Sequence, residues 1–193
     1  MKIIPAILTG DVQELDFLLR KIRDSSKFER AQIDFVDGVF ANSLTIKPTE
    51  VDMVSYLPLK FDAHLMVKGD NVLFWGKNAV QMGFERVIMQ VESGESDDYK
   101  CLGIDLDTQV ELVQKRLKNL ELVLLMSVKA GFGDQKFDEG VIGKIRQIGQ
   151  IREIERYDFK ICVDGGIEPE HLPILEKLGV DEVAVGAKRV LEW

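Results

Sequence analysis

Two carboxylates and an imidazole occupy the same kind of place in this sequence. Asp34 stands in Gln32-Ile33-Asp34-Phe35-Val36-Asp37-Gly38, and His64 in Phe61-Asp62-Ala63-His64-Leu65-Met66-Val67. Asp164 stands in Ile161-Cys162-Val163-Asp164-Gly165-Gly166. Each lies at or near the C-terminal end of an apolar, β-branched run, just before turn residues. Brought together, these groups could hold a divalent cation or move protons.

What brings them together must be a set of strands with a common end. Strand-like runs recur at 2–8, 31–35, 60–67, 86–91, 102–106, 122–128, 160–163 and 182–186. Helical apolar spacing falls between them at 11–22, 48–56, 71–82, 108–117, 141–154 and 168–178. Asp11 is placed to cap the first helix. Apolar strands alternating with helices predict a parallel sheet covered by helices. Eight βα units predict a closed α/β barrel, the TIM (β/α)8 barrel, whose strand ends converge on one mouth. A Rossmann-like sheet is the rival, but no G-x-G-x-x-G follows the first strand. The predicted barrel is compact, with shortened fourth and eighth helical segments: little separates the strands at 86–91 and 102–106, and only seven residues follow the last strand. A partner subunit or a rearranged loop is expected to cover the surface so uncovered, which makes a homo-oligomer the expectation. Leu191 and Trp193 are candidates for that contact, or pack on the chain's own barrel.

The 193 residues are read as a single domain, 1–193. A formal net charge of -8 argues against nucleic acid or an anionic membrane as partner. Cys101 and Cys162 make no disulfide framework; Cys162 is expected in the core and Cys101 half exposed. No apolar run approaches a membrane span and the start lacks a signal-peptide core, so a cytoplasmic address is expected.

Several stretches, in order and nearly end to end, carry a resemblance. They are Pro5-Ala6-Ile7-Leu8-Thr9, Ile33 to Phe40, Asp62 to Val67, Met126-Ser127-Val128-Lys129-Ala130-Gly131-Phe132-Gly133-Asp134-Gln135-Lys136-Phe137, Val163-Asp164-Gly165-Gly166 and Val185-Gly186-Ala187. Together they resemble the ribulose-phosphate 3-epimerase family. The resemblance implies a metal-dependent epimerase that interconverts D-ribulose 5-phosphate and D-xylulose 5-phosphate. By match, Asp34 and Asp164 are the catalytic acid and base on opposite faces of C3. Asp34, His64 and Asp164 are the metal ligands, and Met66 and Met126 lie beside the reacting carbons. The family's first metal-binding histidine is Gln32 here. Its amide is a candidate fourth ligand, poorer than imidazole for Zn or Fe, so the one divalent ion expected is Zn, Mn, Fe or Mg. Two early serines of the family are Ala6 and Thr9, the methionine before Asp37 is Val36, and a fourth-strand histidine is Gln90. Substrate and phosphate contacts are expected from Thr9, Gly131, Gly133, Gly165, Gly166, Gly186 and Ala187, through backbone N–H groups. A loop glycine of the family is Asp134 here, and Lys129 and Lys188 could balance its charge.

Two related chemistries fit less well. An Asp-x-Lys-x-x-Asp decarboxylase or synthase motif is absent, since Asp34-Phe35-Val36-Asp37 has no lysine. A Schiff-base aldolase needs a desolvated barrel lysine, and Lys129 is the one worth testing. The alternatives left open are a repurposed, non-catalytic barrel, and an epimerase or isomerase of another sugar.

Overall fold

The computed structural model describes residues 1–94 and 96–193. Eight parallel strands pair in chain order and close on themselves, as the alternation of elements predicts. They are β1 (Lys2–Leu8), β2 (Arg30–Val36), β3 (Lys60–Met66), β4 (Arg86–Gln90), β5 (Cys101–Ile104), β6 (Leu122–Met126), β7 (Lys160–Asp164) and β8 (Glu182–Gly186). Closure comes from β1 and β8, in register from Lys2↔Glu182 to Ala6↔Gly186.

Successive strand side chains point to opposite faces. The outward ones (Ile33, Phe35, Leu65, Val123, Leu125, Ile161 and Val163 among them) pack under the helices. The inward ones fill the barrel with Ile88, Leu122, Leu124, Cys162 and Ala184. Cys101 belongs to this interior cluster and is buried, not half exposed.

Among the described residues, five α-helices follow their strands: α1 (Val12–Ser25), α2 (Asp70–Met82), α3 (Val141–Glu155), α4 (Leu172–Lys177) and α5 (Ala187–Val190). Asp11 caps α1 by accepting from the Gln13 N–H, and Leu15, Leu18, Leu19 and Ile22 form its buried stripe. The fourth and eighth segments are short, as expected: β4 is followed by one 3₁₀ turn, Val91–Ser93, and α5 spans 4 residues.

Two predicted helices are 3₁₀ turns instead. Over 48–56 the chain forms Pro48–Glu50 and Val54–Tyr56. The region is rich in β-branched residues, and Pro58 drives Leu57 out of the helical region, to φ -53°, ψ 142°. Over 108–117 the turns are Val110–Leu112 and Leu117–Asn119, with i→i+3 bonds such as Val113 N–H to Val110 and Arg116 N–H to Val113. Val110, Val113, Leu117 and Leu120 stay inward, because apolar spacings of three and four suit a chain of three residues per turn as well as an α-helix.

The loop of residues 96–100 covers barrel surface where a longer fourth helical segment would pack. Tyr99 packs on both outer clusters and donates from Oη to the Val72 carbonyl at 3.1 Å. Arg116 donates to Ser96 Oγ at 2.8 Å and holds the same loop. Leu191 and Trp193 pack against the chain's own barrel.

The floor of the barrel, opposite the mouth, is ionic. Arg86 pairs with Asp62 at 2.8 Å and with Glu182 at 2.7 Å; Arg30 reaches Asp62 and Lys160 reaches Glu182 at 2.9 Å. Burial pushes the Glu182 carboxyl up, but Lys160 and Arg86 outweigh it and hold it below the ordinary 4.5. A depressed folded-state pKa adds stability above the unfolded value and loses it as pH falls through the folded one. The stability advantage of the wild type over Glu182→Gln is therefore expected in full above about pH 5 and to shrink below pH 4.5, as read from urea midpoints across pH.

Candidate active site

Register sets the site. Asp34 on β2 is level with His64 on β3, and Asp164 on β7 is level with Met126 on β6. Gln32 precedes Asp34 by two residues, so both face the barrel interior. The mouth opens on a cavity of about 240 Å³ with Asp34, Met66, Met126 and Asp164 in its lining.

The ligand atoms of Asp34, His64 and Asp164 all lie within 4.8 Å of one another. His64 Nδ1 is 3.1 Å from Asp34 Oδ1 and 3.7 Å from Asp164 Oδ2. Gln32 is 1 % exposed, and its Nε2 donates to the same two oxygens, at 2.8 Å and 2.7 Å. Burial, and then the charge of Asp34, push the Asp164 carboxyl up to about 7, against the pull of His64 and the Gln32 hydrogen bond. For His64 burial favours the neutral ring, but the Asp34 hydrogen bond and the charges of Asp34 and Asp164 outweigh it and raise its pKa.

The far side of the imidazole is held by a residue that the sequence marks only as a departure from the family. Gln90 Oε1 accepts from His64 Nε2 at 2.9 Å, while the Gln90 amide donates to Glu92 Oε2 at 2.7 Å and to the Gly103 carbonyl at 2.9 Å. Glu92 is itself fixed by the Asp105 N–H at 3.0 Å. With Nε2 committed as a donor, loss of the Nδ1 proton leaves a neutral ring whose Nδ1 lone pair is aimed at the carboxylates, the arrangement a metal-ligating histidine needs. Two carboxylate oxygens and that nitrogen suit a divalent cation.

Gly103 makes room for this support: a Cβ there would lie 2.8 Å from the Gln90 amide. Gly103→Ala is expected to push Gln90 aside and free the imidazole to change tautomer. Long-range ¹H–¹⁵N spectra of His64 would then lose the single Nε2–H pattern, with a stability loss of about 1–3 kcal/mol from overpacking.

The loops around the mouth are tied down by groups with little sequence signal. Ser127 Oγ donates to the carbonyls of Asp164 at 2.9 Å and Gly165 at 2.6 Å. Asp37 accepts from the N–H groups of Val39, Phe40 and Lys68 and from Asn71, joining the loop after β2 to the start of α2. Gly166 has φ +61°, and a Cβ there would lie 2.2 Å from Phe137 N, so the turn after β7 admits only glycine.

Gly131, Gly133, Gly165, Gly166, Gly186 and Ala187 all line the cavity. Thr9 is not among its lining residues: its hydroxyl donates to Glu14 at 2.5 Å and accepts from the Asp11 N–H. Asp134 stands at φ +55°, the conformation a glycine adopts easily and that Asp tolerates. Lys188 lines the cavity and pairs with Glu14 at 2.6 Å; Arg189, unremarked in the sequence, lines it too and pairs with Glu168 at 3.1 Å. His171 is half-buried, stacked on Phe137 at 4.3 Å, and lies outside the site. Lys129 is exposed and does not line the cavity.

Comparison with known proteins decides the family. The model of the "Ribulose-phosphate 3 epimerase family" matches residues 2–190. The chain belongs to the ribulose-phosphate 3-epimerase family. It is 30 % identical to a ribulose-phosphate 3-epimerase of Helicobacter pylori, over 97 % of this chain and 89 % of that protein. The Bacillus subtilis enzyme is 29 % identical, over 97 % and 91 %. Solved structures share the fold at lower identity. Tryptophan synthase from Pyrococcus furiosus has a TM-score of 0.62 at 15 % identity, covering 99 % of this chain and 88 % of that one. Phosphoribosyl anthranilate isomerase from Thermus thermophilus has 0.59 at 12 %, covering 99 % and 95 %. No helix among the described residues is long and apolar enough to cross a membrane.

Proposed function

We propose that this family member epimerises D-ribulose 5-phosphate and D-xylulose 5-phosphate at C3. The observation that carries the reading is the approach of Asp34 and Asp164, from strands on different parts of the ring, to one imidazole nitrogen at the base of the cavity.

One carboxylate removes the C3 proton from one face of the ketose. The C–H electron pair moves toward the C2 carbonyl and leaves an enediolate that is planar at C3. The other carboxylate, in its acid form, returns a proton to the opposite face, and C3 is inverted. The reaction needs one carboxylate ionised and the other protonated, so environments that separate the two groups serve it. The high pKa of Asp164 supports it as the proton donor in one direction. Asp34, His64 and Asp164 would hold a divalent ion, Zn, Mn, Fe or Mg, which supplies Lewis-acid stabilisation of negative charge on oxygen. Met66 and Met126, both buried, give the reacting carbons an apolar, polarisable wall that keeps water away.

The phosphate is read as seated at the glycine turns after β6, β7 and β8, on backbone N–H groups at Gly131, Gly133, Gly165, Gly166, Gly186 and Ala187. Lys188, once released from Glu14, would add charge there. Thr9 reaches the substrate only by giving up Glu14. We read the protein as one domain, 1–193, working as a homo-oligomer in the cytoplasm, with no nucleic-acid or membrane partner.

The pairing of Lys188 with Glu14 favours a second reading, a barrel that no longer takes a phosphosugar. One assay separates the two. Purified protein with each metal in turn is given D-ribulose 5-phosphate and followed by ¹³C NMR. Xylulose 5-phosphate is expected with at least one metal. Absence of turnover and of substrate binding with every metal would replace the epimerase by the second reading.

A further inference from the structure

Gln32 stands between the two carboxylates. One buried nitrogen gives both of its hydrogens away, one to Asp34 Oδ1 and one to Asp164 Oδ2, across 132 residues of chain. The same two oxygens face His64 Nδ1. The amide therefore closes the corner on which all three ligand atoms converge.

Its effect on a cation is opposite in sign to that of an imidazole. A ring nitrogen at this corner would offer a lone pair. The amide offers two hydrogens that carry partial positive charge and are directed at the oxygens a cation would use. An ion bound to those oxygens must take the place of two charge-assisted hydrogen bonds. Turned over, the amide would set its own oxygen against both carboxylate oxygens, an arrangement that needs a cation or a proton between them. The orientation present is the other one.

We propose that Gln32 competes with the divalent cation. Its amide bridges Asp34 and Asp164, holds the two carboxylates at a fixed separation, and must be displaced before an ion can settle on them. The inference deepens the reading above and rests on its metal site. It makes the ion of this protein weakly held and easily exchanged.

The test is metal binding, with no substrate present. Mn²⁺ titrations, read by the EPR signal of the free ion, are run at pH 8 on the wild type, Gln32→Ala and Gln32→Leu. Both variants lose the donors, and both are expected to bind Mn²⁺ about tenfold more tightly or better. Gln32→His, which restores a lone pair, is expected to bind at least as tightly as either. Equal or weaker binding by the Ala and Leu variants would overturn the proposal, because it would make the amide a bystander or a ligand. So would absence of binding by all of them.

A second readout needs no variant to fold. In ¹H–¹⁵N spectra of the wild type, the Gln32 side-chain NH₂ pair is expected to be downfield and protected from exchange, and to lose both properties as Zn²⁺ saturates the site. A pair unchanged at saturation overturns the proposal. Neither experiment uses a phosphosugar. An inactive protein that gives these results would contradict the epimerase reading alone, and an active one that fails them would contradict only the role of Gln32.

Discussion

Asp34→Asn and Asp164→Asn are each expected to lower the proposed epimerisation by roughly 10²–10⁴-fold or more, the span that proton transfer by a positioned group supplies. Both changes keep size and shape and remove the ability to exchange a proton. They should leave circular dichroism unchanged and differ in stability. Asp164 is buried, and its pKa is pushed up to about 7. A carboxyl whose folded value lies above its unfolded one costs stability as pH rises from the unfolded value of 3.8 toward 7. Asparagine removes that cost, so Asp164→Asn should gain on the wild type as pH rises through this window and keep the gain above it. Urea melts of both proteins at pH 5 and pH 8 would show it. Loss of both activity and stability would mean that Asp164 is a structural group. Stability gained while activity falls is what a strained functional site gives.

Arg86→Ala is expected to lower the free energy of unfolding by about 3–5 kcal/mol, the usual cost of removing one partner from a buried ion pair. Arg86 serves two carboxylates on the barrel floor, Asp62 and Glu182, which are 1 % and 3 % exposed. Arg30 still reaches Asp62 and Lys160 still reaches Glu182 after the change. Neither replaces the bridge across the ring, and Ala leaves an internal gap as well. Urea denaturation at pH 7 reads the loss, and a change under 1 kcal/mol would show the floor network to be unnecessary. Since the floor is at the far end from the mouth, the turnover of the protein that remains folded should change little.

The strands are legible in the sequence because a parallel barrel buries both faces of each one, which leaves near-continuous apolar runs. Asp34, His64 and Asp164 are legible because each is a polar residue at or near the C-terminal end of such a run, shortly before a turn. The 3₁₀ segments at 48–56 and 108–117 are not, since apolar spacings of three and four fit either kind of helix. The role of Gln90 depends on His64 across the sheet and on a glycine in β5, and no local pattern records that. Gln32 is visible as a substitution, yet the direction of its amide is fixed by two carboxylates from distant strands. The floor network has the same origin: Arg30, Asp62, Arg86, Lys160 and Glu182 sit on five strands, and only closure of the barrel makes them neighbours.

The most direct test of two-carboxylate chemistry follows hydrogen at individual carbons in D₂O. D-Ribulose 5-phosphate is incubated with the metal-loaded protein, and ¹H and ¹³C NMR follow C1 and C3 of substrate and product from the first turnovers. An acid and a base on opposite faces predict one deuteron at C3 of nearly every early xylulose 5-phosphate molecule, with C1 untouched and the remaining substrate still protonated at C3. Product that retains its original C3 hydrogen, or deuterium entering at C1, would contradict the assignment of Asp34 and Asp164 as the pair that inverts C3.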